Sequence, residues 1–77
     1  MTPRDYRRAN ADNQRVLIEF LNADLELGFT FASRHSKANA AKAVRAVKRF
    51  KDWVQNDEVR QKIEQRSSEL EKLISTL

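Results

Sequence analysis

Between Asn13 and Ser33 the apolar side chains do not stay on one side of a helix. At ~100° per residue, Val16, Leu17, Phe20, Leu21, Ala23, Leu25, Leu27, Phe31 and Ala32 cover more than half of the wheel, and Ile18 and Phe29 widen the arc. Glu19, Asn22, Glu26, Thr30 and Ser33 are left as a narrow wet strip. A helix with so broad an arc must be covered from two sides, which demands at least two further helices and makes this segment the most buried one. The spacing predicts a helix over 13–33.

The rest of the chain supplies the two covers. With one Gly, one Pro and many Ala, Leu, Lys, Glu and Arg residues, it favours helix throughout and leaves no segment that reads as a strand. A second helix is expected over about 37–55. Ser36 is its N-cap, Ala40, Ala43, Val44, Val47, Phe50 and Val54 form its stripe, and Ala46 and Trp53 stand on one flank. Asn56 and Asp57 read as a turn and a new cap. A third helix over about 58–76 then carries Val59, Ile63, Leu70, Leu73 and Leu77, with Glu58 and Lys62 as an i,i+4 pair. The expected fold is therefore all-α, an antiparallel three-helix bundle running up, down and up.

Ahead of it, Thr2 as N-cap, Pro3 at the first helical position and Asp5 near the positive dipole end allow a helical extension over 3–12. The weakly helical Ala9–Asn13 stretch and a second cap at Asp12 set that extension apart, so 1–12 reads as an N-terminal extension and 13–77 as the single domain. A 77-residue chain with no cysteine has only packing to hold it together, and at this size about 60 % of the unfolded surface is buried.

Charge is unevenly spread. Residues 1–33 carry four basic and five acidic groups, 34–51 seven basic groups and no acid, and 52–77 four basic and six acidic. Within the basic stretch Lys42, Arg45, Lys48 and Arg49 fall opposite the apolar stripe, where any amphipathic helix puts charge. They are the candidate face for an acidic protein partner or for nucleic acid. The absence of interleaved exposed aromatics, of a glycine-rich turn and of helix-turn-helix spacing leaves only weak, nonspecific attraction to phosphates.

Four positions break the local pattern. Asp24 stands near the centre of the first helix's apolar arc, where an unpaired carboxylate is costly, and Arg66 interrupts the stripe of the third helix; the two are a candidate buried polar pair. Gly28, the sole glycine, sits in mid-helix at a cost of about 1 kcal/mol. It is expected to pay that cost for close packing against the alanines of the second helix, Ala40 above all. His35, the sole histidine, lies in the first turn as a solvated or capping residue. Tyr6 and Trp53 are expected at the ends of the bundle, an exposed Trp53 being a natural binding anchor.

Nothing here assembles a nucleophile with a base, paired carboxylates in a cleft, a metal cluster or a phosphate-cradling loop, so no enzyme, cofactor, metal or small-molecule substrate is expected. No eighteen-residue apolar run occurs and no secretion signal opens the chain, which reads as soluble and cytoplasmic, without membrane contact.

Asn22–Asp52 resembles one tetratricopeptide-type (TPR) hairpin, with Leu27, Gly28 and Phe31 in its first helix and Ala40 in its second. Asp24, Val44, Val47 and Asp52 depart from that repeat's usual aromatic, aromatic, alanine and proline. One such unit followed by a third helix is similar to the MIT domains of trafficking proteins, whose Arg-x-Glu-x-Leu pattern Arg66 and Leu70 match, with Ser68 in place of the Glu. The resemblance implies a module whose inter-helix groove holds a segment of another protein. The function expected is a noncatalytic protein–protein interaction module that binds a partner or itself; the alternative is a nucleic-acid-associated protein using the basic face.

Overall fold

A computed structural model describes residues 3–77, with side chains described from Asp12 onward. Tyr6 and the Thr2 cap therefore lie outside the described side chains. Three helices pack together, α1 (Pro3–Ser33), α2 (Lys37–Phe50) and α3 (Asp57–Ser75). Phe20 lies beside Phe50 and Gly28 faces Ala43, so α1 and α2 are antiparallel; Asn22 meets Arg66 and Gly28 meets Leu70, so α3 runs up again. The expected all-α, up-down-up bundle is the fold.

The helix boundaries differ from the sequence reading in two places. The first helix is continuous from Pro3, with no break at residues 9–13. The second helix stops at Phe50 instead of near residue 55. Lys51–Trp53 tighten into a single 3-10 turn, Val54 N–H donates to the Lys51 carbonyl at 3.0 Å, and Val54 turns extended. This turns Val54 into the core, fully buried, while Trp53 swings outward. The third helix is capped as expected: Asn56 Oδ1 accepts from Val59 N–H at 3.1 Å. Ser36 stands at the N-cap of α2, yet its hydroxyl accepts from the Asn39 amide at 2.9 Å and caps no backbone N–H.

The core is built on one stripe from each helix. From α1 come Leu21, Leu25, Gly28 and Ala32; α2 gives Ala40, Ala43, Val44 and Val47; α3 gives Ile63, Ser67, Leu70 and Ile74. The third stripe corrects the sequence reading. Ser67 and Ile74 face inward where Arg66 and Leu73 were expected, and Leu73 is exposed. The helix is rotated so that a small Ser, not a long Arg, meets the centre of the bundle, and its buried hydroxyl finds no hydrogen-bond partner among the described residues.

At Gly28 side chains of both other helices press on the backbone of α1. A Cβ placed on it would lie 2.5 Å from Leu70 Cδ2 and 3.1 Å from Ala43 Cβ, so a methyl group there displaces Leu70. Close packing is thus the role of the glycine: of the alanines of the second helix it is Ala43 that meets it, together with Leu70 of α3, while Ala40 is not among its nearest neighbours and is buried in the core.

The first turn explains the histidine. Ser36 N–H donates to the Phe31 carbonyl at 2.8 Å and His35 N–H to the Ala32 carbonyl at 3.0 Å, the paired bonds of a Schellman motif. His35 holds the left-handed residue of that motif at φ 58°, a place glycine fills without steric cost.

Two stability measurements follow. Gly28→Ala is expected to destabilise the bundle by on the order of 1 kcal/mol in denaturant melts, since crowding Leu70 outweighs the gain in helix propensity. In a Leu70→Ala background, itself costing about 2–5 kcal/mol, the same change should turn neutral or stabilising; equal destabilisation in both backgrounds would remove Leu70 from the contact. His35→Gly should raise stability by about 1 kcal/mol by relieving the left-handed backbone. A lowered melting temperature would mean the imidazole makes a compensating contact.

Candidate functional site

The α1 helix carries a second apolar stripe that the fold does not cover. Val16, Phe20, Ala23 and Leu27 follow one another at steps of four, three and four residues, the same steps as the core stripe Leu21, Leu25, Gly28 and Ala32. Both stripes are therefore straight along the helix, and at ~100° per residue they stand well over a quarter turn apart. The bundle buries one and leaves the other to solvent: Val16 is 59 % exposed and Phe20 and Leu27 are 48 % exposed each.

The α1 end of this stripe meets the outward-turned end of α2. Val16, Leu17 and Phe20 from α1 and Phe50 and Trp53 from the other side line an open groove of about 540 Å³, with Asn13 and Gln14 at its end. Its rings are ordered edge to face. Phe50 is T-shaped against Phe20 at 6.3 Å between centroids and against Trp53 at 5.3 Å. Such pairs hold aromatic rings in fixed relation beyond what burial alone does. The Arg49 guanidinium lies over the outer face of Phe50 at 5.4 Å. Trp53, 65 % exposed, is the most solvent-accessible large apolar side chain of the groove rather than a packed end residue.

One polar side chain sets this geometry. Gln14 Nε2 donates to the Trp53 carbonyl at 3.0 Å, and Gln14 Oε1 accepts from Gln55 N–H at 2.9 Å. The primary amide reads the backbone of residues 53–55 with both of its ends, which fastens the 3-10 turn to α1 and fixes where Trp53 projects. Sequence reasoning missed Gln14 because its partner lies forty residues away and a lone Gln carries no pattern. The two sets with identical steps on one helix were visible in the sequence, but not that both remaining helices would pack on the same one, meeting at Gly28 and leaving the other bare.

The basic face is less uniform than its sequence suggested. The Lys48 ammonium is ion-paired with Glu71 Oε1 of α3, and Lys51 bonds Glu64 Oε1 at 3.3 Å. Lys42, Arg45 and Arg49 remain exposed and pair with no carboxylate among the described residues. On the outer face of α2, Lys42 and Arg49 fall on the half toward α1, with Arg49 reaching over the Phe50 ring, while Arg45 and Lys48 fall on the half toward α3, where Lys48 meets Glu71. On the far edge of the exposed α1 stripe lie Asp12, Glu19 and Glu26, all exposed; the Asp12 carboxylate is 4.0 Å from Arg15.

Asp24 and Arg66 are not brought together. The Arg66 guanidinium donates to Asn22 Oδ1 at 3.2 Å and lies 6.0 Å from the centroid of the Phe29 ring, on the side of α1 that faces α3. Asp24 projects from the α2 side, so the body of α1 separates the two. Half-buried and without an ion pair or hydrogen bond among the described residues, the Asp24 carboxyl is pushed above its ordinary value of 3.8 by desolvation.

The chain matches no family model, no curated protein and no solved structure. Among the described residues no helix is long and apolar enough to cross a membrane.

The Asp24 environment makes a pH prediction. A carboxyl whose folded pKa is raised binds its proton more tightly in the folded chain, so stability should rise on acidification toward 3.8 and the ionised form should lower it at neutral pH. Asp24→Asn is expected to raise the melting temperature at pH 7 and to flatten that acid-side rise. A drop at pH 7 would show that the carboxylate has a stabilising partner.

Proposed function

We propose that this protein is a noncatalytic helical module that binds another polypeptide through the face formed by α1 and α2. The observation that carries the reading is the uncovered stripe Val16, Phe20, Ala23 and Leu27 running into the aromatic groove at Phe50 and Trp53. A small domain gains nothing for its own stability by exposing two aromatic rings and two aliphatic side chains in one line, and continuous exposed apolar surface of this kind marks interaction sites. Aromatic anchors held in a fixed arrangement, with an arginine beside them, have the composition that dominates binding energy in protein interfaces. The resemblance of Asn22–Asp52 to a TPR-type hairpin points the same way, toward a groove that holds a segment of a partner.

A second reading draws on Lys42, Arg45 and Arg49, three exposed cations that could lie along a phosphate backbone. It loses Lys48 to the ion pair with Glu71, and the rings beside those cations sit edge to face instead of offering open faces to bases.

A photo-crosslinking side chain at Ala23 tests the first reading in an extract of the native cell. An adduct of defined mass is expected with the wild-type groove and should disappear with Phe20→Glu or Trp53→Ala, while the control Gln61→Glu on the polar face of α3 keeps it. An adduct indifferent to Phe20 and Trp53 would sink the reading. Fluorescence anisotropy of labelled RNA and DNA at about 50 and 200 mM salt decides the second; salt-sensitive binding lost on Arg45→Glu would put it first.

A further inference from the structure

The apolar stripe has an acidic border on one side and a basic border on the other, and this asymmetry specifies an occupant. Along the outer edge of α1 stand Glu19 and Glu26; across the stripe, on the near edge of α2, stand Lys42 and Arg49, with Arg45 just beyond. The heights of the two borders can be matched from contacts within the chain. Phe20 is level with Phe50 and Gly28 with Ala43, so each step up α1 corresponds to a step down α2. Glu19 then lies within one helical turn of the level of Arg49, and Glu26 within one turn of Arg45 and Lys42.

A face with acid on the left, apolar residues in the middle and base on the right at the same heights is complementary to itself, the partly buried Asp24 being the one acid on the α1 side of the basic border. A two-fold axis running along the stripe exchanges left and right and leaves height unchanged. It sets the acidic border of each copy against the basic border of the other, and brings Val16, Phe20, Ala23 and Leu27 onto their own counterparts.

From this match we infer that the α1–α2 face is occupied by a second copy of the same chain, in a symmetric dimer with the two α1 helices parallel across the axis. The inference rests on the interaction-module reading and gives its groove a definite occupant. Other symmetric pairings fare worse: an antiparallel pairing of α1 with α1 along the same stripe would set Glu19 and Glu26 of one copy beside the same acidic border of the other, with like charges opposed. A generic basic helix would meet the acidic border well and the Lys42–Arg49 border badly. Within the dimer Trp53 and Phe50 gain cover, and the charges of Lys42, Arg45 and Arg49, which no carboxylate of their own chain neutralises among the described residues, find carboxylates on the other.

The contact is modest in size. From Asp12 to Thr30 the helix rises ~27 Å at about 1.5 Å per residue, and the molecule is 18 Å across. That footprint falls short of the roughly 800 Å² that a standard interface buries on each partner, so dissociation in the micromolar range is expected.

Sedimentation equilibrium of the full chain from about 5 to about 500 μM tests it, with Trp53 emission as a second readout. The expected result is a mass that rises toward twice that of one chain, a blue shift of Trp53 over the same range, and a weaker association at ~1 M salt than at ~0.05 M. The pair Glu19→Lys and Glu26→Lys should yield a monomer, as should the pair Lys42→Glu and Arg49→Glu. All four positions are exposed, and unchanged far-ultraviolet dichroism will verify that both variants stay folded. Mixed together, the two variants should associate again, since every reversed border then meets its opposite.

A wild-type chain that stays monomeric throughout overturns the inference, and so does a dimer that both charge variants leave intact or a mixture that fails to associate. None of these results touches the interaction-module reading, which the crosslink at Ala23 decides separately through the mass of its adduct and its dependence on Phe20.

Discussion

Everything in this bundle is organised around the contact of the Leu70 and Ala43 side chains with the bare backbone at Gly28. Leu70 of α3 fills the space that a side chain on Gly28 would need, and Ala43 of α2 closes it from the other side. Once those three residues are in contact, the rotation of each helix is fixed. On α3 the inward line becomes Ile63, Ser67, Leu70 and Ile74, which turns Arg66 aside to Asn22 and Phe29. On α1 it becomes Leu21, Leu25, Gly28 and Ala32, which commits the parallel set of Val16, Phe20, Ala23 and Leu27 to solvent. A core this thin has no room for both stripes.

The exposed face is then shaped by how α2 ends. Without Gly or Pro to stop it, the helix is terminated by tertiary contacts: Val54 is drawn into the core, the preceding residues tighten into a 3-10 turn, and the Gln14 amide holds the backbone of Trp53 and Gln55 against α1. Core packing and groove formation are thus the same event. The burial of Val54 is what turns Trp53 outward, and the edge-to-face contacts through Phe50 to Phe20 hold the result.

Charge distributes itself by neighbour more than by run. The seven basic residues from Arg34 to Lys51 look like a single surface in the sequence, yet the last five divide three ways in space: Lys48 and Lys51 face the acids of α3, Lys42 and Arg49 border the apolar stripe, and Arg45 points to solvent. Asp24 shows the converse. Its position in an apolar arc announced a burdened carboxylate, and desolvation does raise its pKa, but the expected arginine is on the wrong side of the helix.

The sequence alone determined that the chain is three antiparallel helices, because apolar periodicity and the cap at Asn56 depend only on neighbours along the chain. It also marked Gly28 as a close contact, Asp24 as out of place and the 34–51 stretch as basic. Which of two equally spaced stripes on α1 is buried, that α3 turns Ser67 inward, that α2 ends at Phe50, and that Gln14 reaches residues 53–55 were decided only in the tertiary structure. Each of these depends on a contact between residues far apart in sequence, and a helical repeat specifies which residues share a face but not which face its partner will choose.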